Sequence, residues 1–338
     1  METWLALPQE RQAEILTRAS EKLGVDAKII EKDLWVTAVL KVLFEGPYQS
    51  ALAFKGGTSL SKAWGLIERF SEDVDLSFYD PNILPREVSA STSLKRFKEA
   101  AREFFKAQFR EDLKTSLNTL CVNDNMFQIT VEETVNSDQD PTRIYVTYES
   151  AVTKPVIKAL REDQVLLEVS GRSELHPAET RQITSMLAKG TNGNFGLGDF
   201  YVHAIHPSRT FLEKCFLLHE EFTRTNPRQG TKAERLSRHL YDITRLMEAP
   251  EIRYDAELVR LFGSIAKHRK LFSPIRGVAY DTLSLDTIVL TPPEQVLEDW
   301  RRDYSKTCQA LIEGDAPPFE QLLASIQVLQ QRFSALVG

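Results

Sequence analysis

The sequence predicts an α+β fold, a sheet-bearing core with helices before and after it. Three observations carry this. Apolar residues keep helical spacing through the first 46 residues, the pattern then changes to short apolar runs and strict alternation between about 47 and 206, and helical spacing returns from Thr210 onward. The expected divisions are an N-terminal helical segment over 1–46, a core over 47–220 and a C-terminal helical domain over 221–338. At 338 residues the chain has room for two domains, each with its own core.

In order, Leu5, Leu7, Ile15 and Leu16 mark a first helix, and a second runs from about Asp26 through IIEKDLWVTAVLKVLF. ALAF at 51–54 is a short apolar strand ending in Lys55-Gly56-Gly57, after which Thr58 to Ile67 is helical with Thr58 or Ser59 as the N-cap. Residues 73–78 (DVDLSF) alternate polar and apolar and read as a half-buried strand. Residues 93–113 form an amphipathic helix, since Leu94, Phe97, Ala101, Phe104, Phe105 and Phe109 share one stripe. Strands follow near 126–132, 143–149 and 164–169. Gly190, Gly193, Gly196 and Gly198 mark a loop rather than a phosphate cradle, because their order is not that of a phosphate-binding fingerprint. Phe200 to Ile205 is a last strand ended by Pro207, and helices occupy 210–222, 231–248, 255–270, 293–313 and 317–336.

Composition excludes several classes of function. No run approaches the roughly 18 to 20 apolar residues of a membrane span, and Glu2, Glu10 and Arg11 stand where a signal peptide would be apolar, so a cytoplasmic protein without a membrane partner is expected. Cys121, Cys215 and Cys308 form no C-x-x-C, and the six histidines show no zinc-ligand spacing. With 42 Lys+Arg against 48 Asp+Glu, net charge -6, a nucleic acid must be held by a local basic patch. The candidates are Lys267-His268-Arg269-Lys270, Arg301-Arg302, and Arg235, Arg238 and Arg245; the alternative is a solvated face. The apolar stripes of the last two helices (Val296, Leu297, Trp300; Leu322, Leu323, Ile326, Leu329) fit a core or a partner interface.

The chemistry gathers around Asp73-x-Asp75. Residues i and i+2 of a strand share a face, so the two carboxylates stand side by side while Val74 and Leu76 enter the core. Such a pair repels itself unless a cation intervenes, and Mg²⁺ takes hard oxygen ligands of this kind together with substrate phosphates. Upstream, Gly56 and Gly57 allow a sharp turn and close approach to a ligand, and the helix after them directs free N–H groups toward a triphosphate. Thr58, Ser59 and Ser71 offer hydroxyls to its oxygens. Glu168, in VLLEV, supplies a third carboxylate if its strand neighbours the Asp pair; three carboxylates then hold two Mg²⁺ ions for in-line displacement at phosphorus.

Phe54-Lys55-Gly56-Gly57-Thr58-Ser59-Leu60-Ser61-Lys62 followed by Arg69-Phe70-Ser71-Glu72-Asp73-Val74-Asp75-Leu76 resembles the signature of the AbiEii/AbiGii-type nucleotidyltransferase toxins. Glu31-Lys32-Asp33-Leu34-Trp35, Thr210-Phe211-Leu212-Glu213-Lys214 and Ser237-Arg238-His239-Leu240-Tyr241-Asp242-Ile243 agree in order, so the likeness spans about 25–250. The resemblance implies a DNA polymerase β-like nucleotidyltransferase core with a mixed sheet. It also implies a toxin, paired with a cognate antitoxin protein, that moves a nucleoside monophosphate from an NTP to an acceptor, for some members the 3′ end of tRNA, blocking translation and growth. By the same resemblance Ser71, Asp73, Lys214 and Asp242 are the positions on which activity depends, and Asp75 completes the metal pair; Lys55, Gly56, Gly57, Thr58, Ser59 and Arg238 are the residues expected to serve the nucleotide. Lys214 would be a point charge for the triphosphate, with Asp242 orienting Lys214 or Arg238. The alternatives are nucleotidylation of a protein or small molecule, and a nucleotide-binding module without turnover, which has no need of paired metal carboxylates.

Overall fold

The computed structural model describes residues 3–84, 91–121, 125–133, 139–152, 163–171, 173–224, 234–312 and 314–337. Two compact units are present: the first comprises Met1–Trp64 and Ser71–Ile205, the second Gly65–Phe70 and His206–Gly338. The expected core boundary at 220 falls inside a helix of the second unit, because that helix packs on the helices that follow it.

In the first unit, helices α1 (Gln9–Leu23) and α2 (Ala27–Phe44) precede strand β1 (Leu52–Lys55), helix α3 (Gly56–Lys62) and strand β2 (Asp73–Phe78). Asp26 caps α2, its carboxylate accepting from Lys28 N at 2.8 Å. α2 is buried on nearly every side, packing on α1 and on the sheet, which explains its lack of a polar stripe. Next come α4 (Ser91–Phe104), a π-helical turn over Phe105–Phe109, and α5 (Arg110–Asn118). Strands β3 (Phe127–Val131), β4 (Thr142–Tyr148) and β5 (Gln164–Ser170) are those the alternation predicts. β6 (Ala178–Ile183) is a strand the sequence reading does not contain: AETRQI lies at the sheet edge, mostly exposed, and has too few apolar residues to give a period. The short α6 (Met186–Gly190) and β7 (Phe200–Ile205) complete the unit.

The seven strands form one mixed sheet in the order β3-β4-β5-β2-β1-β7-β6. β2 lies at its centre, antiparallel to β1 and parallel to β5, while β1 runs parallel to β7. α3 begins at Gly56 with no side-chain cap rather than at Thr58, because Gly56 turns the chain from strand directly into helix.

The second unit is helical. α7 (Pro207–Thr223) starts with Pro207 at its first turn, where the missing N–H costs nothing. It is buried along most of its length against α8 (Arg238–Leu246), α9 (Ala256–Phe272), α10 (Glu294–Asp303) and α11 (Phe319–Val337). Ring pairs join it to three of them: Phe216 with Phe262 at 4.7 Å, Phe222 with Trp300 at 4.8 Å, and Phe211 with Phe333 at 6.0 Å. Residues 231–233 of the helix expected from 231 lie outside the described residues. Val296, Trp300, Leu322, Ile326 and Leu329 are buried in this unit's own core, and Leu297 and Leu323 are half-buried. Among the described residues, no helix is long and apolar enough to cross a membrane.

Candidate active site

β2 alternates Asp73, Asp75 and Ser77 on one face with Val74, Leu76 and Phe78 on the other. The apolar three are fully buried, and the Phe78 ring lies 5.2, 5.3 and 6.3 Å from those of Phe104, Phe105 and Phe109. A slip of one residue would drive the acids into that aromatic cluster, so core packing decides which face the carboxylates share. Register extends their row across the sheet. Lys55 on β1 is opposite Asp75, Glu168 on β5 flanks it on the other side, and Arg143 on β4 is opposite Glu168. Two adjacent acids are thus bracketed by two bases.

The first residue of α3 lies directly against this row. Gly56 has φ +76°, and a Cβ there would stand 1.9 Å from Asp75 Oδ2 and 2.6 Å from its Cγ. Only glycine lets the backbone approach the carboxylate this closely. Gly56→Ala is therefore expected to destabilise the chain by more than about 1 kcal/mol and, by displacing Asp75, to slow nucleotidyl transfer on the order of 10²-fold. Urea unfolding and turnover of a labelled NTP measure the two effects; wild-type turnover would show that the placement of Asp75 is not required.

Thr58, buried in α3, donates to the Asp73 carbonyl and lies 2.9 Å from Ser71 Oγ, a second hydrogen bond. Its hydroxyl thus ties α3 to the start of β2. Ser59 Oγ is buried and has no hydrogen-bond partner among the described residues, which leaves a hydroxyl for a phosphate oxygen. Lys55 Nζ donates to Ser173 Oγ at 3.0 Å.

Two carboxylates at i and i+2, pressed against a cradle that a Cβ would fill, form a hard-oxygen donor set that fits Mg²⁺. Glu168 shares the face, as expected, but its carboxylate is held by Arg143 Nε at 2.8 Å. Among the described residues, no three His, Cys, Asp or Glu side chains are grouped closely enough to hold a metal. The third expected carboxylate thus stands in register beside Asp75 and is ion-paired with an arginine of the neighbouring strand.

The segment Glu31–Trp35 of α2, which the sequence marks without assigning a role, braces this region. Glu31 accepts from Ser150 Oγ at 2.6 Å and Ala151 N at 2.7 Å. Lys32 Nζ pairs with Glu72 at 2.5 Å, Asp33 pairs with Lys62 of α3 at 2.5 Å and accepts from Met186 N at 2.7 Å, and Trp35 stacks on Tyr148 at 4.9 Å. Burial lowers the Lys32 pKa, with the Glu72 carboxylate opposing the shift.

In the second unit, Asp242 of α8 is fully buried and receives two bonds from Arg69, Nε to Oδ1 at 2.7 Å and Nη2 to Oδ2 at 2.8 Å, and one from Lys214 of α7 at 2.8 Å. Of the two residues that Asp242 is expected to orient, Lys214 is its ion-pair partner and Arg238 acts on Lys214 through its charge, while the bidentate partner of Asp242 is Arg69, which the sequence reading misses. Burial alone would raise the Asp242 pKa, but the charges and hydrogen bonds of Arg69 and Lys214 overcome it and hold the carboxyl below the usual range. Burial lowers the pKa of Lys214 and holds that of His239 well below the ordinary imidazole value, where Lys214 and Arg238 reinforce it.

Several basic residues proposed as phosphate docks are ion-paired within this unit. Arg269 makes two hydrogen bonds to Glu220, which Tyr280 also contacts, so it belongs to the fold. Lys270 pairs with Asp281 at 2.7 Å and Arg245 with Glu68 at 3.1 Å. Arg301 pairs with Glu298 and Glu320, and Arg302 with Asp299.

A mixed sheet whose central strand presents paired carboxylates beside Gly56 is an arrangement suited to metal-assisted chemistry at phosphorus. The chain belongs to the AbiEii family, nucleotidyl transferase toxins of type IV toxin–antitoxin systems, whose family model matches residues 38–325. Among solved structures it is similar to MenT4, a nucleotidyltransferase toxin from Mycobacterium tuberculosis H37Rv, at 18% identity and TM-score 0.46, over 98% of this chain and 99% of that one. No curated protein matches it significantly.

Proposed function

We propose that this toxin transfers a nucleoside monophosphate from an NTP to the 3′ end of tRNA in a Mg²⁺-dependent reaction. The observation that carries the chemistry is the Asp73 and Asp75 pair on one face of β2 with Gly56 closed against Asp75. Transfer joins an acceptor hydroxyl oxygen to the α-phosphorus and releases pyrophosphate. Mg²⁺ held by Asp73 and Asp75 would supply Lewis-acid stabilisation of charge on the phosphate oxygens. Glu168 joins that set only on release from Arg143. Ser59 donates to a phosphate oxygen, Thr58 holds Ser71 and the Asp73 backbone in place, and Lys55 lends positive charge along the row. Lys214, oriented by Asp242, is the proposed point charge for the triphosphate, with Arg238 adding to the positive potential. The tRNA acceptor and the cognate antitoxin rest on the family resemblance.

Incubation with each α-labelled NTP, Mg²⁺ and either total RNA or a cell lysate tests this reading. One nucleotide should label RNA of tRNA length, and EDTA should abolish labelling. Label on a protein or small molecule with none on RNA would replace the acceptor, and labelling that survives EDTA would remove the metal.

A further inference from the structure

The ion pair between Lys32 and Glu72 is buried at both ends, with side-chain exposures of 3% and 4%. Two charges removed from water in this way are poor stabilisers, since apolar residues of similar volume usually serve a fold as well or better. The pair also stands at a particular place. Glu72 immediately precedes Asp73, the first residue of β2, and Asp73 lies within electrostatic reach of the Lys32 ammonium. The next residue of α2, Asp33, holds Lys62 at the end of α3. One turn of a helix buried on nearly every side thus grips both the element that begins at Gly56 and the strand that carries the carboxylates. Thr58 ties the same two elements together through the Asp73 carbonyl.

We propose that Lys32 is a positioning residue: through its buried pair with Glu72 it sets the start of β2, and thereby the Asp73 carboxylate, in the geometry that binds the divalent cation. This rests on the metal-dependent reading above. It assigns Lys32 no contact with substrate. It does assign a task that an apolar pair of equal volume cannot perform, since such a pair fills the space without directing the backbone at Glu72.

Mn²⁺ binding, followed by electron paramagnetic resonance of the free ion, tests the proposal on the full chain, with thermal unfolding measured in parallel. Lys32→Met alone removes a buried cation that balances the Glu72 carboxylate and is expected to unfold at lower temperature, so the informative variant is Lys32→Met with Glu72→Leu. It should unfold at the wild-type temperature or above and bind Mn²⁺ at least ~10-fold more weakly. Lys32→Arg, which keeps the charge, should bind within about 3-fold of wild type. Glu72→Gln keeps an acceptor for Lys32 and should retain Mn²⁺; loss of binding there would make Glu72 itself a ligand and overturn the positioning role. Wild-type affinity in the apolar double variant would also overturn it while leaving the metal reading intact. If wild type and Asp73→Asn bind Mn²⁺ equally, the metal reading itself fails and this inference falls with it.

Discussion

Asp73→Asn is expected to slow nucleotidyl transfer by ~10³-fold or more, about 4 kcal/mol of transition-state stabilisation at about 1.36 kcal/mol per tenfold. The substitution keeps size and shape while removing one of the two negative charges proposed to hold the cation. The fold should survive, because Val74, Leu76 and Phe78 supply the apolar face that seats β2 in the core. Asp75→Asn should behave similarly. Turnover of a labelled NTP together with far-ultraviolet circular dichroism separates loss of chemistry from loss of structure, and undiminished turnover in Asp73→Asn would refute the assignment of β2 as the catalytic strand.

The second large effect concerns stability. Asp242→Asn removes the buried carboxylate to which both Arg69 and Lys214 hydrogen-bond, so the helical unit should lose about 3–5 kcal/mol. The pH dependence has a definite sign. The folded pKa of Asp242 is depressed, so the unfolded chain binds this proton more tightly, and the stability the group contributes is present above the ordinary carboxylate pKa of about 3.9 and is lost as pH falls toward the folded value. Urea unfolding, followed by hydrogen exchange in α7 and α8, should therefore show an acid-side decline in wild type that is reduced in Asp242→Asn. Equal stability of the two at neutral pH would show that the cations do not need the carboxylate.

Legibility followed the range of the interaction. The alternation of DVDLSF placed Asp73 and Asp75 on one face because a strand's period is a property of the chain itself, and the structure keeps β2 at the residues the pattern marks. Gly56-Gly57 was legible as a turn for a similar reason, since positive φ favours glycine locally. β6 was not legible: an exposed edge strand needs little apolar surface, and its pairing with β7 is a matter of backbone hydrogen bonds. The C-terminal helices were legible as elements, but their apolar stripes became a core only once α7 was seen among them.

The sequence by itself determined the order of most helices and strands, the shared face of the two aspartates and, through its motifs, the family. Tertiary structure alone decided the partners of the charges. Glu168 lies beside Asp75 as expected yet is held by Arg143, Arg269 is built into the fold by Glu220, and Asp242 takes Arg69 from 173 residues away. The physical reason is that periodicity records burial, which each residue carries with it along the chain, whereas a buried ion pair is selected by distance in space. Among 42 basic and 48 acidic side chains, composition offers each acid many possible partners, and only the packed chain chooses one.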